Sequence, residues 1–154
     1  MTISLRELYN TQLKKYAEIP QIGIPWNINS KEVTKLNNPM CGDKIEIRIS
    51  PKIIDNKFVI RRIYYECEGC ALCKASAYIL GEYSINCLEP DFDIMYDIIN
   101  NIVNPKILEA ENLDLIPFAY FRGVREYPQR AKCVLLPWEA AKKGIEYEKK
   151  AWNK

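Results

Sequence analysis

The sequence contains no histidine. That absence excludes Ser-His-Asp and Cys-His nucleophile systems, and any metal site must be built from thiolates, carboxylates or a substrate. Neither sign of charge is in excess. Twenty-two Lys and Arg against 20 Asp and Glu leave a net charge of +2, which gives no support for bulk binding to nucleic acid or an anionic membrane. No apolar run approaches the roughly 18 residues of a membrane span. The first residues carry Arg6 and Glu7 where a signal peptide would need its apolar segment, so the expected location is cytoplasmic. Internal repeats and low-complexity tracts are also missing.

What is present is an ordinary globular composition. The 154 residues are 48% hydrophobic and 27% charged, enough to bury a core, and the expectation is one domain over 1–154. Six cysteines stand out. Disulfide frameworks belong to short secreted chains, so these thiols are expected to be metal ligands, reactive groups or buried structural residues.

Periodicity gives the element order. Apolar residues at Leu5, Leu8, Tyr9, Leu13 and Tyr16 predict a helix, with Ser4 and Glu7 as its capping box. Pro20 and Pro25 end that regularity, and Glu32–Lys35 is expected as a short edge strand. Alternation over Lys44–Ile49, a turn at Asp55-Asn56 and an Ile-, Val- and Tyr-rich run over Phe58–Glu66 predict an antiparallel hairpin with one face on the core. Helices are expected over Cys70–Tyr83, over Phe92–Val103 with Pro90 near its start, over Ile107–Leu115, and over Pro128–Ile145 with a kink at Pro137. Gly81–Cys87 reads as a connection and Glu146–Lys154 as a frayed tail. Together these predict an α+β fold, a small antiparallel sheet packed against several helices.

Three segments place cysteines beside groups that would activate them. In Asn38-Pro39-Met40-Cys41-Gly42-Asp43, Pro39 stiffens the approach and Gly42 permits a tight turn, so Cys41 and Asp43 can serve as ligands from one loop. The alternative is a plain turn. In Cys67-Glu68-Gly69-Cys70-Ala71-Leu72-Cys73, Cys70 falls at a helix N-terminus, where free N–H groups lower a thiol's pKa. The third segment ends Arg130-Ala131-Lys132-Cys133, where Arg130 and Cys133 share a helical face and the guanidinium favours a thiolate. A surface charge cluster beside a buried Cys is the alternative there.

Taken together, the three motifs resemble the U-type iron–sulfur cluster assembly proteins, in the SufU branch more than the IscU branch. Leu5–Tyr9, Ala75-Ser76-Ala77, Gly123–Pro128, Leu136 and Trp138 fit as well, so nearly the whole chain is covered. Lys132 stands where IscU-type chains carry a His, and the long stretch between Cys70 and Cys133 matches the SufU insertion. The resemblance implies a SufE/NifU-like fold and a metal site of Cys41, Asp43, Cys70 and Cys133. It implies zinc or an iron–sulfur cluster, 2Fe–2S in type, as the bound species. It further implies a cysteine desulfurase as sulfur donor, with downstream assembly or client proteins as recipients. Cys41 is the expected sulfur acceptor and Arg130 the second candidate catalytic residue. Arg122, Arg125 and Arg130 are expected to surround the metal-site face that binds the desulfurase.

The chain departs from the family pattern at Cys67, where the family carries Gly, at Cys73, where it carries Ser, and at Cys87. One turn after Cys70, Cys73 is either a small packing residue or a softer fourth ligand in place of Asp43. Two mechanisms are open: a scaffold on which a cluster is built, or a zinc-dependent sulfurtransferase that carries a persulfide. A closed structural zinc domain is a third reading, and Asp43 in the ligand set counts against it.

Overall fold

The computed structural model describes residues 11–107 and 116–153. The expected Ser4–Glu7 capping box, the start of the first helix and nearly all of the expected Ile107–Leu115 helix lie outside them. Within them the order is helix α1 (Thr11–Glu18), strands β1 (Thr34–Asn38), β2 (Asp43–Ile54) and β3 (Lys57–Glu68), and helix α2 (Ala71–Tyr83). The two-residue strand β4 (Cys87–Leu88), helix α3 (Glu89–Val103), a 3-10 helix over Phe118–Glu126 and helix α4 (Pro128–Trp152) follow. The strands form one antiparallel sheet in the order β1-β2-β3-β4, and the fold is α+β as the sequence pattern predicts. Among the described residues no helix is long and apolar enough to cross a membrane.

The hairpin is the frame. Asp55 and Asn56 both adopt positive φ, 51° and 63°, which matches a tight turn to the twist of the strands it joins. Ile45 pairs with Cys67, Ile47 with Tyr65 and Ile49 with Ile63, so the buried alternation of β2 meets the inner face of β3. The register slips between Ser50 and Pro51, where proline has no N–H to give the ladder. Asp43 opens β2 on the same inward face as the isoleucines, an unusual place for a carboxylate. Helix α4 crosses the sheet closely at Gly144, where a Cβ would sit 3.2 Å from Thr34 Oγ1. The aromatic centre is Trp138, stacked on Phe92 at 5.8 Å and tilted against Phe118 at 5.9 Å.

Four expectations change. The edge strand is Thr34–Asn38 rather than Glu32–Lys35, because the N–H groups of Lys31 and Glu32 are taken by the Glu148 carboxylate and not by the sheet. The same carboxylate, fully buried, keeps the C-terminal residues helical to Trp152, where fraying was expected. The helix expected over Cys70–Tyr83 is borne out as α2, so the connection starts after Tyr83 and not at Gly81, a glycine that lies against Tyr65, where a Cβ would meet Cε1 at 3.0 Å. Cys87–Leu88, expected in the connection, pairs with Ile60 and Val59 as β4, a strand too short to have a period. At Pro137 the helix continues, and the missing N–H removes the i+4 donor of the Cys133 carbonyl.

Candidate metal centre

The centre forms where the β1–β2 turn, the β3–α2 junction and the start of α4 meet. Asn38 organises the turn. Its backbone carbonyl accepts from the N–H groups of Cys41 (3.2 Å) and Gly42 (2.8 Å), and its side-chain oxygen accepts from Met40 N–H at 3.1 Å. Gly42 has φ +72°, which L side chains rarely adopt. Cys41 therefore stands half-exposed on the turn, and Asp43 follows as the first, buried residue of β2.

At the second junction Gly69, φ +152°, passes directly over Asp43. A Cβ there would lie 2.1 Å from Asp43 Oδ1. The close passage lets the next residue, Cys70, donate its N–H to that oxygen at 2.8 Å and bring its thiol to 3.8 Å from Oδ2. Cys70 is the N-cap of α2, with extended backbone at φ −71° and ψ 164°. The third contribution is Cys133 from α4, fully buried, whose sulfur lies 3.9 Å from Asn38 Nδ2. Helices α2 and α4 are tied beside it, because Ser76 Oγ donates to the Val134 carbonyl at 2.5 Å and accepts from Trp138 Nε1 at 3.1 Å. Ligand atoms of Cys41, Asp43 and Cys133 all lie within 4.8 Å of one another, and Cys70 adjoins them through Asp43.

The electrostatics are those of crowded acids. The Cys70 thiol is lowered to about 7, first by a hydrogen bond from Cys133 and then by the N–H groups of Cys73 and Leu72, with burial opposing. Cys133, as the donor to Cys70 and partly desolvated, is pushed far up. A buried carboxylate among thiols is costly unless a cation or hydrogen bonds offset it. No Lys or Arg salt bridge to Asp43 forms among the described residues. Tetrahedral zinc bonds of about 2.0–2.3 Å place ligand atoms about 3.3–3.8 Å apart, so small side-chain shifts would let this set close on a metal. The donor chemistry fits zinc, or iron in a nascent cluster.

Other cysteines take different places. Cys73 is fully buried, and its sulfur meets that of Cys67 at 3.4 Å. Cys70 is the N-cap of α2, one residue outside the helix, and the Cys73 thiol turns to Cys67 rather than to the Asp43 group. Hydrogen bonding with Cys67 and burial push the Cys73 thiol far up. Cys87 lies at the opposite end of β3 from Cys67, raised to about 11 by burial. Arg130 is half-buried in the first turn of α4. Arg125, expected to face a partner, instead donates to the carbonyls of Asn101 (2.6 Å), Ile102 (3.3 Å) and Ile107, where it offsets the negative end of α3. Asn38 and Gly69 were not singled out by sequence as builders of the site. The Asn-Pro and Gly-Cys pairs were the available signals, and both also read as turn residues.

Comparison with known proteins accords with this geometry. The family described as NifU-like N terminal domain matches residues 13–154. The chain is similar to the zinc-dependent sulfurtransferase SufU of Bacillus subtilis (strain 168), 30% identical over 122 residues that cover 79% of each protein. It is equally similar to the iron-sulfur cluster assembly scaffold protein IscU of Streptococcus pyogenes serotype M1, 30% identical over 123 residues covering 77% of this chain and 72% of that one. Among solved structures, FiSufU from the thermophile Fervidobacterium islandicum AW-1 superposes with a TM-score of 0.68 at 25% identity, covering 90% of this chain and 97% of that one. The N-terminal NifU-like protein of Brucella abortus shares the fold, with a TM-score of 0.74 at 20% identity over 94% of this chain and 96% of that one.

Proposed function

The chain belongs to the NifU-like N-terminal domain family, and on that footing we propose that it is an iron–sulfur cluster assembly protein of one domain, working in the cytoplasm. It accepts sulfur from a cysteine desulfurase and holds zinc or a nascent cluster on Cys41, Asp43, Cys70 and Cys133. The observation that carries this reading is Asp43, a fully buried carboxylate at the head of a sheet strand, converging with thiols from two other elements. A metal bound there would hold the thiols ionised and ordered.

The residues divide the work by exposure. Cys41, half-exposed on its turn, is the group an incoming persulfide can reach, and it acts as the acceptor. Cys133, buried and contacted by Asn38, stays as an anchoring ligand. Asp43 is the hard ligand and the one that yields when sulfur or iron enters. Arg130, ahead of Cys133 on α4, offsets the negative charge of the thiolate set. The donor is a pyridoxal-phosphate cysteine desulfurase docking on the face that carries Cys41, and assembly or client proteins receive the product.

A second reading, a zinc-dependent sulfurtransferase that holds no cluster, is favoured by the half-exposure of Cys41 and Cys70 and by the relative that bears that name. Zinc against iron and sulfide content, measured on protein purified without oxygen, separates the two. Sulfur acceptance itself is tested by incubation with a cysteine desulfurase and cysteine, followed by intact-protein mass spectrometry. The wild-type chain is expected to gain the mass of at least one sulfur atom, and Cys41→Ser to lose most of that gain. Equal sulfur uptake by the two proteins would remove Cys41 from the acceptor role.

A further inference from the structure

A persulfide brings sulfur at the oxidation level of the element, whereas an iron–sulfur cluster contains sulfide. Each sulfur therefore needs two electrons before it can bridge iron. Beside the metal centre the structure holds a dithiol. Cys67, at the end of β3, and Cys73, in the first turn of α2, bring their sulfurs to 3.4 Å within the core. Between them in sequence stands Cys70, half-exposed and facing Asp43. Cys70 is the N-cap of α2 and Cys73 its third helical residue, so the two stand one turn apart at the start of the helix. The three thiols thus run from the metal centre into the interior.

We propose that Cys73 and Cys67 reduce to sulfide a persulfide that Cys70 has taken over from Cys41, the Cys70 sulfur attacking its outer sulfur while Cys41 leaves as a thiol, and release that sulfide beside the metal ligands. This rests on the reading that the centre receives persulfide sulfur. In the first step the Cys73 sulfur attacks the inner sulfur of the Cys70 persulfide. A Cys70–Cys73 disulfide forms, the S–S bond of the persulfide breaks, and the outer sulfur leaves as hydrogen sulfide with the Cys73 proton. In the second step the Cys67 sulfur attacks Cys73, and Cys70 departs as a thiol carrying the Cys67 proton. The net change is one persulfide and two thiols converted to one sulfide, one Cys67–Cys73 disulfide and a regenerated Cys70 thiol. Two electrons leave the dithiol and two enter the sulfur. An external dithiol then restores the pair. Cys67 and Cys73, at 4% and 0% exposure, are shielded from oxidants in solution, and Cys73 gives up its proton to the departing sulfur as it attacks. Holding the second pair in contact makes that exchange effectively intramolecular.

The experiment uses the full chain as purified, reduced, loaded briefly with glutathione persulfide and desalted without reductant. Sulfide is trapped with monobromobimane, free thiols are alkylated, and the tryptic fragment spanning residues 63–74, which carries all three cysteines, is sequenced by mass spectrometry. The wild-type chain is expected to release sulfide in step with appearance of a Cys67–Cys73 disulfide, while Cys70 becomes alkylatable. The Cys67→Ser/Cys73→Ser double variant should keep its persulfide and release sulfide at least about tenfold more slowly. Mapping the wild-type disulfide needs no variant, so a folding defect in the double variant does not remove the test. Sulfide release from the double variant at the wild-type rate would overturn the proposal. So would a wild-type disulfide that ends on Cys41 or Cys133, or a wild-type chain that keeps its persulfide with Cys67 and Cys73 both alkylated. Persulfide is supplied here as a chemical. A chain that takes no sulfur from a desulfurase yet converts this probe would remove the desulfurase as donor and leave the reduction by Cys73 and Cys67 standing.

Discussion

Gly69→Ala is expected to lose bound metal and about 2–3 kcal/mol of folding stability together. The added Cβ would fall 2.1 Å from Asp43 Oδ1, 2.8 Å from its Cγ and 3.0 Å from its Cα. Rotation of the carboxylate relieves only part of that overlap, since the Cα belongs to the backbone of β2. Either the strand moves or the β3–α2 junction lifts away, and each response breaks the 2.8 Å bond from Cys70 N–H to Asp43. The residue's φ of +152° adds backbone strain to the clash. Gly42→Ala is the instructive contrast. Its φ of +72° is also strained, yet a Cβ there meets nothing within 4 Å. It should cost about 1–2 kcal/mol of backbone strain and leave most of the metal in place. Denaturant titration with elemental analysis of both variants checks the pair. Equal metal content in Gly69→Ala and wild type would show that the close passage over Asp43 is dispensable.

The largest loss of stability without loss of the centre is expected from Glu148→Ala. Glu148 Oε1 accepts from Ser30 Oγ at 2.7 Å, Lys31 N–H at 3.0 Å and Glu32 N–H at 2.8 Å, and Oε2 accepts from Lys31 N–H at 2.9 Å and from Trp152 Nε1. The side chain is fully buried. Truncation leaves those donors without their acceptor and leaves a void, at a cost of about 3–5 kcal/mol. Glu148→Gln keeps one oxygen but turns an NH2 group toward donors, so it should lie between alanine and wild type. Thermal or denaturant unfolding reads the difference, and metal bound per folded molecule should not change. An effect under about 0.5 kcal/mol would mean that the last turns of α4 are not docked.

These two positions mark where sequence reasoning reaches its limit. The hairpin was legible because alternation over Lys44–Ile49 and the Asp55-Asn56 turn are local signals with one structural meaning. Cys41, Asp43, Cys70 and Cys133 could each be marked as a candidate by a neighbouring turn glycine, a helix N-terminus or Arg130, and it was the family resemblance that joined the four into one ligand set. Glu148 could not. In a run of Glu and Lys it looks solvated, and only the path of residues 30–32, more than a hundred positions earlier, gives it a task. Gly69 read as an ordinary turn glycine because the residue it must avoid, Asp43, is on another strand. Arg125 was expected on the partner-binding face because the carbonyls it caps belong to α3, more than 20 residues before it. Cys73 read as a substitute ligand because it stands one turn after Cys70, whereas its sulfur turns to Cys67. Its contact with Cys67 needs the strand-to-helix turn in three dimensions.

The central claim is that one aspartate and three cysteines from three separate elements form a single metal site. Zinc-edge X-ray absorption on the zinc-loaded chain tests it most directly. The expected first shell is three sulfurs at about 2.3 Å and one oxygen at about 2.0 Å, with the oxygen contribution altered in Asp43→Ala. A shell of four sulfurs, unchanged in Asp43→Ala, would contradict the account by placing a further cysteine where Asp43 is assigned.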